Sequence, residues 1–153
     1  MLTTKNLTCT LNFAKIDKLL HFALDNLLNN NVEIIIIEQD KTLDKLSNAD
    51  YELQALLYKS VLPHVYSLII RSNARDLTSI VFHESVHLRQ YESGRLDINP
   101  ITGDTKWENK NYDAKVPYMD RPWEKEAFKE QGNIFRMWRN CKCNEIDKYT
   151  PFL

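Results

Sequence analysis

The chain is organised around DLTSIVFHESVHLRQY, which occupies residues 76–91. Apolar residues recur in it at helical spacing, and neither Pro nor Gly interrupts the pattern before Gly94. These apolar positions are Leu77, Ile80, Val81, Val86 and Leu88. Asp76 stands where an N-cap is expected, because its carboxylate can accept from the amides of the first turn. The stretch therefore predicts a helix with one apolar face, on which a rigid site can be built.

Inside this helix lies the pattern H-E-x-x-H, formed by His83, Glu84 and His87. Residues four apart lie one above the other on a helix, so both imidazoles emerge on one face and can share a metal ion. Glu84 points beside that face, where it can take a proton from a water molecule that the metal activates. The chain contains four His, so the pattern can arise by chance. A third ligand is needed before it counts as a metal site.

A third ligand is offered by DRPWEKEAF, residues 120–128. Pro122 suits the first turn of a helix and Asp120 is a suitable N-cap, so Glu124 and Glu126 both belong to the start of a second helix. Because they are two positions apart, they point about 200° apart, and only one of them can face the metal. Phe128 lies one turn after Glu124 and is expected in the core, which favours Glu126.

The Glu-Ala pair gives a resemblance to the Glu-liganded zincins, the gluzincin metallopeptidases, in which the ligand Glu begins an E-A-x-x-[DE] stretch. Here that stretch is EAFKE, residues 126–130. The resemblance implies that Glu126 is the third ligand and that Glu130, one turn on, holds a ligand imidazole by its other ring nitrogen. It also implies one Zn²⁺ per chain, since two imidazoles and one carboxylate suit zinc.

More narrowly, the chain is similar to small uncharacterised zincin-like proteins of bacteria and their phages. The similarity rests on HLRQYESG at residues 87–94, on Trp107, and on RPWEKEA at residues 121–127. It covers about residues 66 to 131. Those relatives imply a fold and a site but no substrate.

Length and composition exclude several classes of protein. A chain of 153 residues suits one domain, residues 1–153, with a core of its own. The formal net charge of -1 gives no basic field for binding nucleic acid. No apolar run reaches membrane-spanning length and the first residues show no secretory signal, so we expect a cytoplasmic protein without a membrane partner.

The three Cys, an odd number, argue against a disulfide framework and for a reducing compartment. Cys141 and Cys143 are spaced C-x-C, as in some metal and redox pairs, but the sequence has no partner cluster for them. We expect ordinary thiols there, and a buried or incidental thiol at Cys9.

The rest of the chain alternates helical and strand patterns. Helices are predicted over residues 12–28, 51–62 and 122–140, the last with a break at Gly132-Asn133, and strands over residues 32–38 and 66–71. A polar loop after the first motif predicts a short hairpin around Thr105–Trp107 and Tyr112. The predicted fold class is α+β: a minimal zincin-like domain in which a small sheet packs on the H-E-x-x-H helix and a second ligand helix lies alongside.

Four residues near these elements are candidate donors to an oxyanion, namely Tyr91, Tyr112, Tyr118 and Arg121. Packing in the core or at a rim is the alternative role of each aromatic ring. Tyr118 is selected as the catalytic donor because it lies closest in sequence to the second ligand helix.

The function expected from these features is zinc-dependent hydrolysis of a peptide or protein substrate. His83, His87 and Glu126 hold the metal, and Glu84 is the general base that later protonates the leaving amine. The alternative is a non-enzymatic structural or interaction protein that retains the fold and the metal site, for example a phage virion component bound to an assembly partner. Glu84 argues against this alternative, because a structural zinc site has no need of a base.

Overall fold

The computed structural model describes residues 1–9, 12–48 and 52–141. Its larger sheet is a mixed sheet of four strands. Its strands are β1 (Leu2–Asn6), β2 (Val32–Glu38), β3 (Ala55–Lys59) and β4 (Val65–Ile70). They lie in the order β1-β2-β4-β3, with β1, β2 and β4 parallel and β3 antiparallel to β4. β3 is therefore an edge strand, with one row of backbone groups facing away from the sheet.

The described part of the chain also forms four α-helices: α1 (Phe13–Leu24), α2 (Asp40–Leu46), α3 (Leu77–Glu92) and α4 (Pro122–Asn140). α3 contacts α1, α4 and the edge strand β3. Because it is covered on several sides, every residue from 81 to 88 is buried, the polar ones included. The predicted α+β class is confirmed. Within the described residues no helix is long and apolar enough to cross a membrane.

α3 begins and ends where the sequence predicts. The Asp76 carboxylate accepts a hydrogen bond from the Ser79 amide at 3.2 Å, as an N-cap does. Gly94 follows the helix with a φ of +72°, a conformation that residues with a Cβ rarely adopt. The H-E-x-x-H motif therefore lies in the middle of a helix with defined ends.

A second, antiparallel sheet follows α3 and consists of β5 (Leu96–Ile98), β6 (Thr105–Trp107) and β7 (Lys110–Tyr112). β6 and β7 confirm the predicted hairpin. Its two-residue turn, Glu108 and Asn109, has positive φ at both positions, as a type I′ turn requires. The rings of Trp107 and Trp123 lie 6.5 Å apart between centroids, so this sheet packs against the start of α4.

The helix predicted over residues 51–62 is wrong for the part of it that the structure describes, because Ala55–Lys59 is β3. Residues 49–51, which include its predicted start, lie outside the described residues. The leucine spacing fits a helix, but pairing with β4 buries Ala55 and Leu57 on one face of a strand. Hydrogen bonding to a neighbouring strand, which no local pattern reveals, overrides the helical spacing.

Other elements differ from expectation in smaller ways. α4 runs through Gly132 without the predicted break. Pro122 begins that helix as expected, but Arg121 rather than Asp120 occupies the N-cap position. β1 and α2 are not predicted from the sequence, because β1 is mostly polar and α2 is short.

Two of the three cysteines lie within the described residues. Cys9 is buried and Cys141 half-buried, and neither forms a disulfide within the described residues. Cys143 lies outside those residues, so the C-x-C pair stays a prediction.

Candidate metal centre

Three side chains converge between α3 and α4: His83 and His87 from α3, and Glu124 from the first turn of α4. Glu124 Oε2 lies 3.1 Å from His83 Nε2 and 3.2 Å from His87 Nε2, and the two Nε2 atoms are 3.2 Å apart. All three residues are buried, each 8% exposed. The predicted pair of imidazoles is thus brought together, and a carboxylate from the second helix joins it.

This donor set fits a tetrahedral Zn²⁺. With ligand bonds of about 2.0–2.2 Å, neighbouring ligands of a tetrahedron lie about 3.3–3.6 Å apart. The observed separations of 3.1 to 3.2 Å are close to that edge length. Two imidazoles and one carboxylate also match a known catalytic zinc set, which leaves the fourth position to water or substrate. No other group of three or more His, Cys, Asp or Glu side chains among the described residues can hold a metal ion.

The carboxylate that lies beside the two imidazoles belongs to Glu124. The sequence predicts Glu126 there, and this predicted position of the Glu126 carboxylate is wrong. Glu126 forms a salt bridge with Arg95 at 2.6 Å and accepts a hydrogen bond from Gln90 Nε2 at 3.3 Å. The expectation that the two carboxylates point apart is right, but the choice between them is reversed.

The reversal is explained by where the buried apolar residues of α4, its buried stripe, lie around the helix axis. Its buried apolar residues lie within about 60° of one another around the helix axis. They are Trp123, Ala127, Ile134 and Trp138. Glu124 and Glu126 flank this stripe on opposite sides, and the Glu124 flank is the one that meets the two imidazoles. Helical periodicity cannot tell the flanks apart, because it contains no information on the direction in which α3 lies.

The sequence predicts Phe128 in the core, but this prediction is wrong: Phe128 lies on the same flank of α4 as Glu124. It is 47% exposed, and its ring centroid is 4.6 Å from that of His83. The Phe128 ring therefore packs against the His83 imidazole. Its position after Glu124 therefore does not exclude Glu124 from the site.

Two glutamines hold the far nitrogens of the imidazoles. Gln90 Oε1 lies 2.8 Å from His87 Nδ1, and Gln131 Oε1 lies 3.1 Å from His83 Nδ1. Glu130, predicted for this role, instead accepts from Asn133 Nδ2 at 3.2 Å. An amide oxygen can only accept, so each Nδ1 carries a proton; in the neutral imidazole the lone pair is then on Nε2, which faces the ligand set. Sequence reasoning missed both glutamines, although Gln90 follows His87 at helical spacing.

Glu84 lies beside the ligand set and is 7% exposed. Its Oε2 accepts a hydrogen bond from Leu57 N at 3.0 Å, which connects it to the edge strand β3. Burial raises the pKa of Glu84, and the charges of His87 and His83 offset this only in part. A carboxyl with a raised pKa takes up a proton more readily than an ordinary carboxylate does.

The imidazoles and Glu124 attract one another when the imidazoles are protonated. Burial alone would lower the pKa of His87, but the hydrogen bond and charge of Glu124 outweigh it and raise that pKa to about 9. Burial alone would raise the pKa of Glu124, but hydrogen bonds from His83 and His87 hold it well below its usual range. Protons and a metal ion would compete for the same nitrogens, so metal binding at this site would release protons.

A cleft crosses the ligand set along β3. At its centre is a cavity of about 60 Å³, which has room for a water molecule. On one side the cavity meets a groove of about 530 Å³ between β3 and residues 114–118. On the other side lies a pocket of about 180 Å³, lined by Ile80, Phe128 and Gln131 among others. Neighbouring spaces share lining residues, so the three adjoin one another and are together called the cleft.

Tyr118, the predicted catalytic donor, lines all three parts of this cleft. It begins a single 3-10 turn, Tyr118–Asp120, that precedes α4. Its ring lies 6.2 Å from that of Phe128 between centroids. The position suits a donor to substrate, while its catalytic role stays a prediction.

The other three candidate donors have different surroundings. Tyr91 borders the central cavity, and burial raises the pKa of its hydroxyl. Tyr112 packs edge-on against Trp123, with 5.4 Å between ring centroids. Arg121 lines the large groove and donates from Nε to the Val116 carbonyl at 3.0 Å. Of these three, only Tyr91 borders the central cavity.

Comparison with known proteins adds no relative. The chain matches no protein-family model, and no similar curated protein or solved structure was found. The zincin resemblance therefore rests on the sequence motifs alone.

Proposed function

We propose that this protein is a zinc-dependent metallopeptidase that hydrolyses peptide bonds. The observation that carries the proposal is the buried set of His83, His87 and Glu124, with the carboxyl of Glu84 beside it. A zinc ion held by the three ligands would act as a Lewis acid and lower the pKa of a water molecule. We place the activity in the cytoplasm, because an odd number of Cys argues for a reducing compartment.

Glu84 is proposed as general base and then general acid. Because burial raises its pKa, its carboxylate can accept a proton from the attacking water and deliver it to the leaving amine. The hydrogen bond from Leu57 N fixes the carboxyl at the edge of the cleft. Tyr118 is proposed to donate a hydrogen bond to the carbonyl oxygen of the scissile bond, since it lines the cleft on both sides of the ligand set.

An extended peptide is the substrate class that the shape of the cleft supports. β3 is an edge strand, and the Leu57 amide, which bonds to Glu84, points out of the sheet. Ala55 and Lys59 present their backbone groups the same way, because residues two apart in a strand share an orientation. A peptide paired with this edge would cross the metal centre, and the groove of about 530 Å³ would receive its side chains.

A non-enzymatic structural or interaction protein that keeps the metal site is the competing candidate. Two observations favour it: the cavity at the ligand set is only about 60 Å³, and Glu84 is already bonded to a backbone amide. An assembly partner would then take the place of a substrate. Glu84 opposes this candidate, because a structural zinc site needs no base and tends to fill its fourth position with protein.

Zinc content and peptide cleavage by the purified full-length chain test the proposal. We expect about one zinc per chain and cleavage of a quenched fluorescent peptide library. Zinc retention without cleavage of any peptide would favour the structural alternative. A protein that contains no zinc, and takes up none when it is added, would overturn the metal centre itself.

A further inference from the structure

We infer that Gln90 is a positioning residue of the metal centre: it holds His87 so that Nε2 faces the ligand set, and Glu126 holds Gln90 in turn. Gln90 is 1% exposed and lies between α3 and α4, one turn after His87. Its Oε1 is 2.8 Å from His87 Nδ1. The inference rests on the metal site of the proposed function, but not on its catalytic activity.

The orientation of the Gln90 amide follows from its partners. Its Nε2 lies 3.1 Å from the Trp123 carbonyl oxygen and 3.3 Å from Glu126 Oε1. Both partners are oxygens that only accept, so the amide nitrogen must face them and the amide oxygen must face His87. His87 is thereby held with its proton on Nδ1, which leaves the Nε2 lone pair for a metal ion.

Glu126 is held in place from its other side by Arg95. The Arg95 guanidinium donates to Glu126 at 2.6 and 2.9 Å, donates to Glu108 at 2.5 and 3.0 Å, and lies 4.6 Å from the centroid of the Trp107 ring. Glu108 is in the turn of the β6–β7 hairpin. The small sheet is thus connected through Arg95 and Glu126 to the amide that holds His87.

The two imidazoles are held unequally. Gln90 is buried and makes three hydrogen bonds, one to His87 and two to acceptors of α4. Gln131 is half-buried, borders the cleft, and makes one hydrogen bond, to His83, within the described residues. Loss of Gln90 should therefore release its imidazole more completely than loss of Gln131.

Zinc affinity of matched variants tests the inference, measured by competition with a chromogenic chelator. Gln90→Met keeps the length of the side chain and removes its hydrogen bonds, so we expect affinity to fall by about 10- to 100-fold. Gln131→Met should give a smaller loss, and Glu130→Gln, which changes the residue predicted from the sequence, should give none. A folded Gln90→Met protein with wild-type zinc affinity would overturn the inference.

A second pair of variants covers the case in which Gln90→Met does not fold. Gln90→Glu places a second carboxylate about 3.3 Å from Glu126, whereas the double variant Gln90→Glu/Glu126→Gln exchanges amide and carboxylate and restores a donor opposite an acceptor. We expect the double variant to bind zinc more tightly than Gln90→Glu alone. Equal affinities of the two would contradict the role of Glu126.

The NMR signal of the His87 imidazole is a measurement that does not depend on the overall stability of the protein. In the zinc-loaded wild type we expect an NMR signal from a hydrogen-bonded His87 Nδ1–H, and we expect it to shift and exchange faster in Gln90→Met. An inactive wild type that binds zinc and shows these effects would sink the peptidase proposal and leave the inference standing. An unchanged His87 signal in Gln90→Met would sink the inference and leave the peptidase proposal standing.

Discussion

Acidic residues on the two sides of the α3–α4 pair have different kinds of partner. On the outer side, a groove of about 760 Å³ is lined by Glu92, Arg95 and Glu126 among others. There Glu126 meets Arg95 at 2.6 Å, and Glu92 accepts from the Tyr66 hydroxyl at 2.6 Å. On the cleft side, which carries Glu84 and Glu124, no Lys or Arg of the described residues forms a salt bridge with either carboxylate.

The comparison explains why acidic residues two positions apart serve different purposes. A buried carboxylate costs free energy unless it is paired. The outer side supplies that pairing from the chain's own cations and hydroxyls, so Glu126 and Glu92 hold the structure together. On the cleft side Glu124 meets imidazole nitrogens, which could bind a metal ion together with it. Each prediction below tests this contrast.

Replacement of Glu84 should have the largest effect on the cleft side. In Glu84→Gln an amide cannot accept the proton of the attacking water, so turnover should fall at least about a hundredfold. Zinc content should remain that of the wild type, because Glu84 is not among the converging ligands. Peptide cleavage measures the expected loss of turnover, and metal analysis on the same sample measures the expected zinc content. A Glu84→Gln protein as active as wild type would show that Glu84 is not the general base, and would remove the proposed mechanism.

Removal of the two first-turn carboxylates should separate the two sides directly. Glu124→Gln should lower bound zinc from about one per chain toward zero, since a ligand is lost. Glu126→Gln should keep the zinc, because that carboxylate faces Arg95. Metal analysis after gel filtration measures both. The opposite result, with zinc lost only in Glu126→Gln, would show that Glu126 is the third ligand, as the sequence predicts.

Zinc removal should lower stability without unfolding the protein. Zinc at 100 to 1,000 times its dissociation constant stabilises by about 3–4 kcal/mol, so chelation should lower the Tm by about 6–15 °C. The metal-free protein should stay folded, because the core around α3 is apolar and the outer side keeps its ion pairs.

Thermal melts with and without chelator measure this shift, and His83→Ala is the control in which chelator should change nothing. If the wild type loses all folded signal on chelation, the protein needs the metal in order to fold, and this prediction is wrong.

The outer side should show the smallest effect, as a dependence of stability on acid. Burial alone would raise the pKa of Glu92, but hydrogen bonds from Tyr66, His64 and Asn30 outweigh it and lower the pKa below its ordinary 4.5. The folded state thus binds the proton less well than the unfolded state. The stabilisation by Glu92 is present above pH 4.5 and is lost as pH falls through the lower folded pKa.

Urea unfolding at several pH values checks this prediction. Glu92→Gln should cost about 1–3 kcal/mol at neutral pH, and its stability should fall less steeply below pH 4.5 than that of the wild type. Parallel curves for the two proteins would show that Glu92 is not paired as described. The zinc content of Glu92→Gln should equal that of the wild type, because Glu92 lies on the outer side.

Features that depend on near neighbours along the chain could be predicted from the sequence. The cap at Asp76, the stop at Gly94 and the spacing of His83 and His87 are properties of one helix. The β2 strand and the turn of the β6–β7 hairpin are equally local. Residue type and spacing therefore determined that two imidazoles and the carboxyl of Glu84 share one helix, and that an acidic residue from the start of a second helix is available.

The tertiary structure alone decided which groups meet that helix. Ala55–Lys59 became a strand because β4 offers it hydrogen bonds, and this placed the Leu57 amide on Glu84. Glu124 rather than Glu126 reached the imidazoles because His83 and His87 lie on one flank of the buried stripe of α4 and Arg95 lies on the other. These are contacts between residues distant in sequence, and periodicity along one element contains no information about the direction of its neighbours.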